Sequence, residues 1–163
     1  MDFLIKDMTQ AEIEGKAYVH WKSLQESYRG LIGDSYLDEH ATPAHCLEVS
    51  RKWPDNLLVA VVDGTVVGFA GYGKSRDEDL ENCGEVFALY VLQAYQRNKI
   101  GFSLMQEALR RIEQYPSVAL WVLEGNEKAS SFYEKVGFRA DGASKMINLG
   151  KPVMAIRMLL RKA

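Results

Sequence analysis

The sequence predicts a single α/β domain built on one sheet. Three observations predict this class: an Asp63-Gly64 turn between two β-branched runs, a strand–helix–strand–helix order through the middle of the chain, and two strands near its end. A length of 163 residues suits one domain, over residues 1–163, and can bury a sizeable core.

The front of the chain predicts an edge strand followed by a long helix. Phe3 to Ile5 is a short apolar run, and Thr9 with Glu12 forms the pattern of a capping box. Apolar residues then recur at helical spacing and mark one buried face: Ile13, Ala17, Trp21, Leu24 and Tyr28. Residues 34–56 are expected to hold a shorter helix and loops.

A β-hairpin is the clearest local prediction. The runs 57–62 and 65–70 are apolar and β-branched, and Asp63-Gly64 joins them. A type I′ turn needs φ > 0 at both central residues, and Asp-Gly provides it. Residues 74–84 then read as a polar loop.

The rest of the chain continues the alternation. We expect a strand from Glu85 to Val91, a helix over 102–112, and a central strand over 118–123 that has almost no polar residue. Asn126 is placed to cap a third helix that Gly137 ends. Residues 138–160 predict two more strands joined near Gly150.

Composition excludes several classes of function. The formal net charge is −2, so the basic face of a nucleic-acid-binding protein is not expected. No apolar run approaches the roughly 20 residues that span a bilayer, and the charged N-terminus does not resemble a signal peptide. We therefore expect a cytoplasmic protein with no membrane partner, in which Cys46 and Cys83 are free thiols.

Two clusters of polar residues have simpler explanations than a site. His40, His45 and Cys46 match no zinc-ligand spacing, so no metal is expected. The acidic stretch from Asp77 to Glu81 would attract a cationic substrate or is a solvated loop.

The segment from Glu85 to Met105 carries the most specific chemical signal. A strand ends near Val91, a short polar loop follows, and a helix begins near Lys99 to Gly101. Unpaired backbone N–H groups and the helix dipole favour an anion at such a helix start, and Arg97 and Lys99 add positive charge. The same residues also suit an ordinary connection with a solvated basic loop.

Three segments in order resemble the GNAT N-acetyltransferases. Gln96 to Gly101 resembles the family's acyl-CoA-binding loop, Gln/Arg-x-x-Gly-x-Gly/Ala, with Lys99 at the position of the first glycine. Residues 85–91 resemble the strand before that loop, and the stretch from Asn126 through Ala129 to Phe138 resembles the family's closing segment. We expect the helix to have begun at Lys99, where a lysine then fits without strain.

This resemblance implies a GNAT-like fold, with a mixed central sheet of about six or seven strands and helices on both faces. It also implies acetyl-CoA as co-substrate. Backbone groups of the strand end would pair with the pantetheine arm, N–H groups of the loop would hold the pyrophosphate, and Asn126 would bind the arm, cap its helix, or do both. The implied cofactor-binding residues are Leu89, Tyr90, Val91, Gln96, Arg97, Asn98, Lys99, Ile100, Gly101, Phe102, Asn126 and Tyr133.

The implied reaction is transfer of an acetyl group to a primary amine by direct attack. Tyr133 would give a proton to the leaving thiolate, or it is a core aromatic residue. Glu85 would take the proton of the amine, directly or through water, or it is a solvated carboxylate at a strand end. The backbone N–H near Val91 would polarise the thioester carbonyl.

The acceptor stays open at this point. A small amine, a peptide or a protein N-terminus would fit, and Trp21, Tyr28 and Tyr36 either shape its pocket or belong to the core. The alternative function is a sensor or degenerate family member that binds acyl-CoA without transfer. A homodimer could form through strands of the last hairpin.

Overall fold

The computed structural model describes residues 1–162, which form one seven-stranded sheet and five α-helices. The strands are β1 Leu4–Asp7, β2 Leu57–Val62, β3 Thr65–Lys74, β4 Cys83–Val91, β5 Ser117–Leu123, β6 Arg139–Asn148 and β7 Pro152–Arg161. The helices are α1 Ile13–Tyr28, α2 Asp34–His40, α3 Pro43–Lys52, α4 Ile100–Arg111 and α5 Glu127–Val136.

The sheet order is β1-β2-β3-β4-β5-β7-β6. Every neighbouring pair is antiparallel except β4 and β5, which are parallel. The parallel pair is also the shortest, since it runs only from Cys83↔Ser117 to Glu85↔Ala119. Beyond Glu85 the two strands diverge, and this fork positions the site described below.

The predicted hairpin is confirmed as β2 and β3. Asp63 and Gly64 connect the strands with φ values of +48° and +79°, as a type I′ turn requires. The edge strand and the capping box are confirmed as well. Thr9 donates its backbone N–H to Glu12 Oε1 at 2.8 Å in front of α1.

Helices cover both faces of the sheet, as expected for a mixed α/β sheet. On one face, Val19 of α1 packs against Val59, Val66 and Phe69. On the other face, Leu104 and other residues of α4 pack against Leu58, Ala60, Val67 and Ala70. Because successive side chains of a strand point to opposite faces, these alternating sets hold the sheet between two helical layers.

The segment 34–56 differs from its prediction, because it forms two helices rather than one. The second begins where Thr42 accepts a hydrogen bond from the N–H of His45 at 3.1 Å, with Pro43 in the first helical turn. A threonine cap followed by proline is a helix-start signal that the sequence did contain. Within residues 1–162, no helix has the length and apolar character needed to cross a membrane.

Candidate functional site

A cavity of about 600 Å³ lies along the fork between β4 and β5. Strand β3 covers one edge of β4 as far as Gly68↔Val91, whereas β5 has left the other edge after Glu85. An unpaired edge presents backbone N–H and C=O groups to whatever enters. The fork therefore offers an extended molecule a place beside β4.

The end of β4 brings three of the predicted residues to this cavity. Leu89, Tyr90 and Val91 all contribute to its wall. The carbonyl of Val91 accepts a hydrogen bond from Gln96 Nε2 at 3.1 Å, which ties the strand end to the following loop. An added strand beside β4 would find the loop directly at its end.

The loop after β4 has the features of an anion site. The first hydrogen bond of α4 runs from the N–H of Ser103 to the carbonyl of Lys99 at 3.0 Å, so the N–H groups of residues 100–102 precede it. Asn98 fixes the loop by donating Nδ2 to the carbonyls of Tyr95 and Gln96, each at 3.2 Å. The positive end of the helix dipole lies at the same point.

The expectation that the helix has begun at Lys99 is wrong. Lys99 precedes the helix with φ +66° and ψ +12°, a left-handed conformation, and Arg97 also has φ +66°. Each costs roughly 1–2 kcal/mol relative to a right-handed residue. Left-handed residues in such a turn direct neighbouring N–H groups toward one concave side, an arrangement that suits an anion. Lys99 thus occupies a position that favours glycine.

Gly101 lies in the first turn of α4. A Cβ built there would meet Val91 at 3.7 Å and Phe132 at 3.8 Å, which is ordinary contact. The site therefore accepts alanine on steric grounds, unlike the position of Lys99. Phe102 beside it is half exposed and also contributes to the cavity.

Asn126 caps α5 and lines the cavity. Its Oδ1 accepts from the N–H of Ala129 at 3.4 Å, which confirms the cap. The helix ends at Gly137 with φ +123°, where the N–H groups of Gly137 and Phe138 return to the carbonyl of Tyr133. These two ends fix the helix that presents Tyr133 to the cavity.

Tyr133 lies in the cavity wall. Burial raises the pKa of its phenol, with a further contribution from Tyr28. The group is therefore protonated at neutral pH and can donate. Its ring packs edge-on against Phe132 and Phe138, with centroids 5.6 and 6.1 Å away, and these contacts restrain it.

Two further tyrosines complete this part of the wall. The hydroxyls of Tyr28 and Tyr90 lie 3.3 Å apart, and burial raises the pKa of Tyr90. The sequence left Tyr28 undecided between pocket and core, and it assigned only backbone groups to Tyr90. Of the three aromatic residues considered near the front of the chain, Trp21 and Tyr36 do not line the cavity among the residues described.

Glu85 lies at the fork but does not reach the cavity wall among the described residues. Its side chain is 3% exposed. Its carboxylate accepts from the backbone N–H of Arg76 at 3.2 Å and from the guanidinium of Arg76 at 3.3 Å. The structure therefore places the predicted base behind the wall, in a bond with the chain's own cation.

Two aromatic residues were not singled out from the sequence. They lie at the fork end, which is the part of the cavity where β4 and β5 begin to diverge after Glu85 and Ala119. Phe87 and Trp121 line the cavity, and each has a cation over its ring. The guanidinium carbon of Arg76 lies 4.4 Å from the Phe87 centroid, and Lys145 Nζ lies 4.1 Å from that of Trp121. No local sequence pattern marks these pairs, because they join separate elements.

The acidic loop is largely tied down by an arginine. Arg157 of β7 is buried and binds Asp79 through both terminal nitrogens at 2.7 and 2.8 Å. It also binds Asp141 at 2.7 Å and approaches Asp77 at 3.4 Å, and Asp77 accepts from Trp121 Nε1 at 3.0 Å. Through Asp77 and Asp79, Arg157 and Trp121 hold the acidic loop onto the sheet.

The cysteines and the histidines considered as metal ligands do not line the cavity among the described residues. Cys46 and Cys83 are buried free thiols, as expected. Within residues 1–162, no group of three or more His, Cys, Asp or Glu side chains has an arrangement that could hold a metal ion.

Comparison with known proteins gives consistent relatives. Residues 18–138 match the model of the Acetyltransferase (GNAT) family. The chain is 27% identical over 178 residues to YuaI, an N-acetyltransferase of Bacillus subtilis (strain 168), with 97% of this chain and 98% of YuaI covered. It is 31% identical over 135 residues to the N-acetyltransferase Rv2775 of Mycobacterium tuberculosis (strain ATCC 25618 / H37Rv), covering 77% and 74%.

A solved structure is similar across the whole chain. The PaiA N-acetyltransferase from Thermoplasma acidophilum, in complex with coenzyme A, superposes with a TM-score of 0.73 at 23% identity, covering 99% of each chain. This likeness extends the agreement in fold beyond residues 18–138 to the first strand and the last hairpin.

Proposed function

Because the chain belongs to the GNAT acetyltransferase family, we propose that it transfers the acetyl group of acetyl-CoA to a primary amine by direct attack. The observation that carries the proposal is one cavity that joins the unpaired edge of β4, the N-terminus of α4 and the hydroxyl of Tyr133. Coenzyme A bound to the PaiA N-acetyltransferase supports the choice of cofactor.

Acetyl-CoA would lie along β4 with its pyrophosphate at the loop. The backbone N–H groups from Arg97 to Phe102 would bind the pyrophosphate at the start of α4, and the side chains of Arg97 and Lys99 add charge. The N–H of Gln96, which the sequence also assigned to the pyrophosphate, instead donates to the carbonyl of Gln93 at 3.2 Å. The pantetheine arm would pair with Leu89 to Val91 as an added strand and meet Asn126 across the cavity.

Transfer then needs a neutral amine beside the thioester. Its nitrogen attacks the carbonyl carbon, and the N–H at the end of β4, near Val91, stabilises the developing oxyanion. The C–S bond breaks as Tyr133 donates its proton to the leaving thiolate. Proximity of the two reactants in the cavity supplies much of the rate.

The amine's proton must also leave. Since Arg76 holds the Glu85 carboxylate behind the wall, Glu85 can take this proton only through water. Solvent at the open mouth provides the other route. Exchange of Glu85 for Gln distinguishes the two, because loss of a general base typically lowers the rate about 10²–10⁴-fold.

The test is release of free CoA from acetyl-CoA in the presence of amines. We expect amine-dependent release, and we expect Tyr133→Phe to lower kcat about 10²-fold or more while leaving the affinity for acetyl-CoA unchanged. Tyr115→Phe is a matched control, because this tyrosine packs against the same core outside the cavity. Full activity of the Tyr133 variant would refute its role as the acid.

The alternative is an acyl-CoA sensor that does not transfer. The position of Glu85 favours it, because Arg76 holds that carboxylate and the described residues of the cavity wall include no carboxylate that could act as a base. Saturable binding of acetyl-CoA without CoA release, across a panel of amines, would support the sensor.

A further inference from the structure

We propose that the acceptor is a weakly basic amine, such as the α-amino group of a peptide or an amino acid, rather than a lysine side chain or a polyamine. This inference rests on the proposed function and names the substrate class for the same cavity. It follows from the charges at the fork end, where the acceptor must enter because the loop end is needed for the cofactor.

The carboxylates around the fork are already bound by the chain's own arginines. Arg76 binds Glu85 through its backbone and its guanidinium. Arg157 binds Asp79 and Asp141 and approaches Asp77. An ammonium-rich acceptor would have to displace an arginine to use any of these four carboxylates as its anionic partner.

The aromatic rings at the fork end are occupied as well. An ammonium group binds favourably over the face of a tryptophan or phenylalanine ring. Here Arg76 lies over Phe87 and Lys145 lies over Trp121, at 4.4 and 4.1 Å from the ring centroids. Both aromatic rings, which would otherwise attract an ammonium group, are thus already covered by cations of the chain itself.

The cavity wall itself is cationic. Its charged residues are Arg97, Lys99, Lys128 and Lys135, and its remaining titratable groups are the phenols of Tyr28, Tyr90 and Tyr133. Burial raises the pKa of Tyr90 and of Tyr133, so these phenols are donors at neutral pH rather than acceptors of a proton. Arg97 and Lys99 would face the phosphates of the cofactor, and the described residues of the wall include no carboxylate that could bind a multiply charged ammonium ion.

The chemistry points to the same class. Only the free base of an amine attacks a thioester, and its abundance depends on its own pKa. At pH 7.5 the neutral fraction is about one quarter for an α-amino group and about one thousandth for a lysine side chain, a difference on the order of 10²-fold. The described wall consists of cations and protonated phenols, so it has no group that would take a proton from a lysine side chain. The difference in neutral fraction between the two amines therefore remains.

The experiment compares three acceptors with the whole protein and acetyl-CoA. They are a lysine-free tetrapeptide with a free α-amine, the same peptide with a blocked α-amine and one lysine, and spermidine. We expect kcat/KM at pH 7.5 to be on the order of 10²-fold higher for the free α-amine. We also expect it to rise tenfold per pH unit below the acceptor's own pKa.

A charge reversal tests the electrostatic reason. Lys145 is exposed, so Lys145→Glu should fold normally and place an anion beside Trp121. We expect it to raise kcat/KM for spermidine relative to the peptide by about five- to tenfold, whereas Lys151→Glu, at the exposed turn between β6 and β7, leaves the ratio unchanged.

Two outcomes would overturn the inference. A preference for spermidine or the lysine peptide in the native protein refutes the weakly basic acceptor while upholding acetyl transfer. Failure of all three acceptors to release CoA from bound acetyl-CoA also refutes the inference, because a free α-amine is then not accepted, whereas the proposed transfer fails only if the wider panel of amines fails too.

Discussion

Replacing Lys99 by glycine should stabilise the protein. The lysine holds φ +66°, a conformation that costs a side-chain-bearing residue roughly 1–2 kcal/mol and glycine nothing. Glycine gives back part of this gain because its unfolded chain is more flexible, by about 0.5–1 kcal/mol. The net expectation is about 1 kcal/mol of added stability, or a Tm rise of about 2–4 °C for a chain of this size.

Two control variants isolate the backbone as the cause. Lys99→Ala removes the charge but keeps the strain, so its Tm should stay below that of Lys99→Gly. Ala94→Gly, at an exposed position with ordinary backbone, should lower stability by about 0.5–1 kcal/mol. Scanning calorimetry of the four proteins measures all three differences.

Acetyl-CoA affinity gives a second readout of the same residue. Both Lys99 variants lose one positive charge near the helix start, so each should bind acetyl-CoA a few-fold more weakly, by roughly 0.3–1 kcal/mol. If the glycine variant were no more stable than the alanine variant, Lys99 would not be held in a strained conformation, and the explanation given for the loop would be refuted.

Three other substitutions test separate parts of the structure. Burial lowers the pKa of His20 to about 4, so the unfolded state binds more protons than the folded state between pH 6.5 and 4. The free energy of unfolding should therefore decrease, by up to roughly 3 kcal/mol, as the pH is lowered through this range. His20→Phe should remove that part of the loss in urea titrations, and an unchanged loss would contradict this explanation. Arg157→Met should lower the free energy of unfolding by about 3 kcal/mol, because the Asp141 side chain, only 10% exposed, loses its cationic partner. Partial recovery when Asp141→Asn is added is the confirming result. Asn126→Ala should cost about 1 kcal/mol through the lost cap, whereas Asn126→Asp keeps the cap; equal losses in thermal melts would refute the cap as the cause.

Most of the fold could be predicted because its signals are local. The Asp63-Gly64 turn, the capping box at Thr9 and the cap at Asn126 each depend on a few adjacent residues whose chemistry fixes the backbone. Seven strands and helices on both faces agree with the fold that the resemblance implied. The second helix in 34–56 was missed although Thr42 and Pro43 mark its start.

The lining of the cavity could be predicted at its loop end and not at the end where β4 and β5 diverge. The strand end, loop and helix start are contiguous in sequence, so their residues meet in one place whatever the rest of the chain does. The other end depends on contacts between distant segments, such as Arg157 with Asp79. No pattern within one segment reveals such pairs.

Lys99 shows a different limit of sequence reasoning. A positive φ is normally indicated by glycine, and a lysine at that position predicts a helical backbone instead. The structure nevertheless holds Lys99 at φ +66°, in the turn before α4. Burial of Glu85 was hidden for a related reason, since only the fold brings Arg76 over its carboxylate.

The central claim is that this cavity binds acetyl-CoA, and a thermal-shift titration tests it most directly. A ligand that binds only the native state adds RT ln(1 + [L]/Kd), about 2.7 kcal/mol at a hundredfold excess over Kd. We expect a saturable rise in Tm with acetyl-CoA and none with ATP or NAD as controls. Absence of a shift at millimolar acetyl-CoA, or equal shifts with all three ligands, would contradict it.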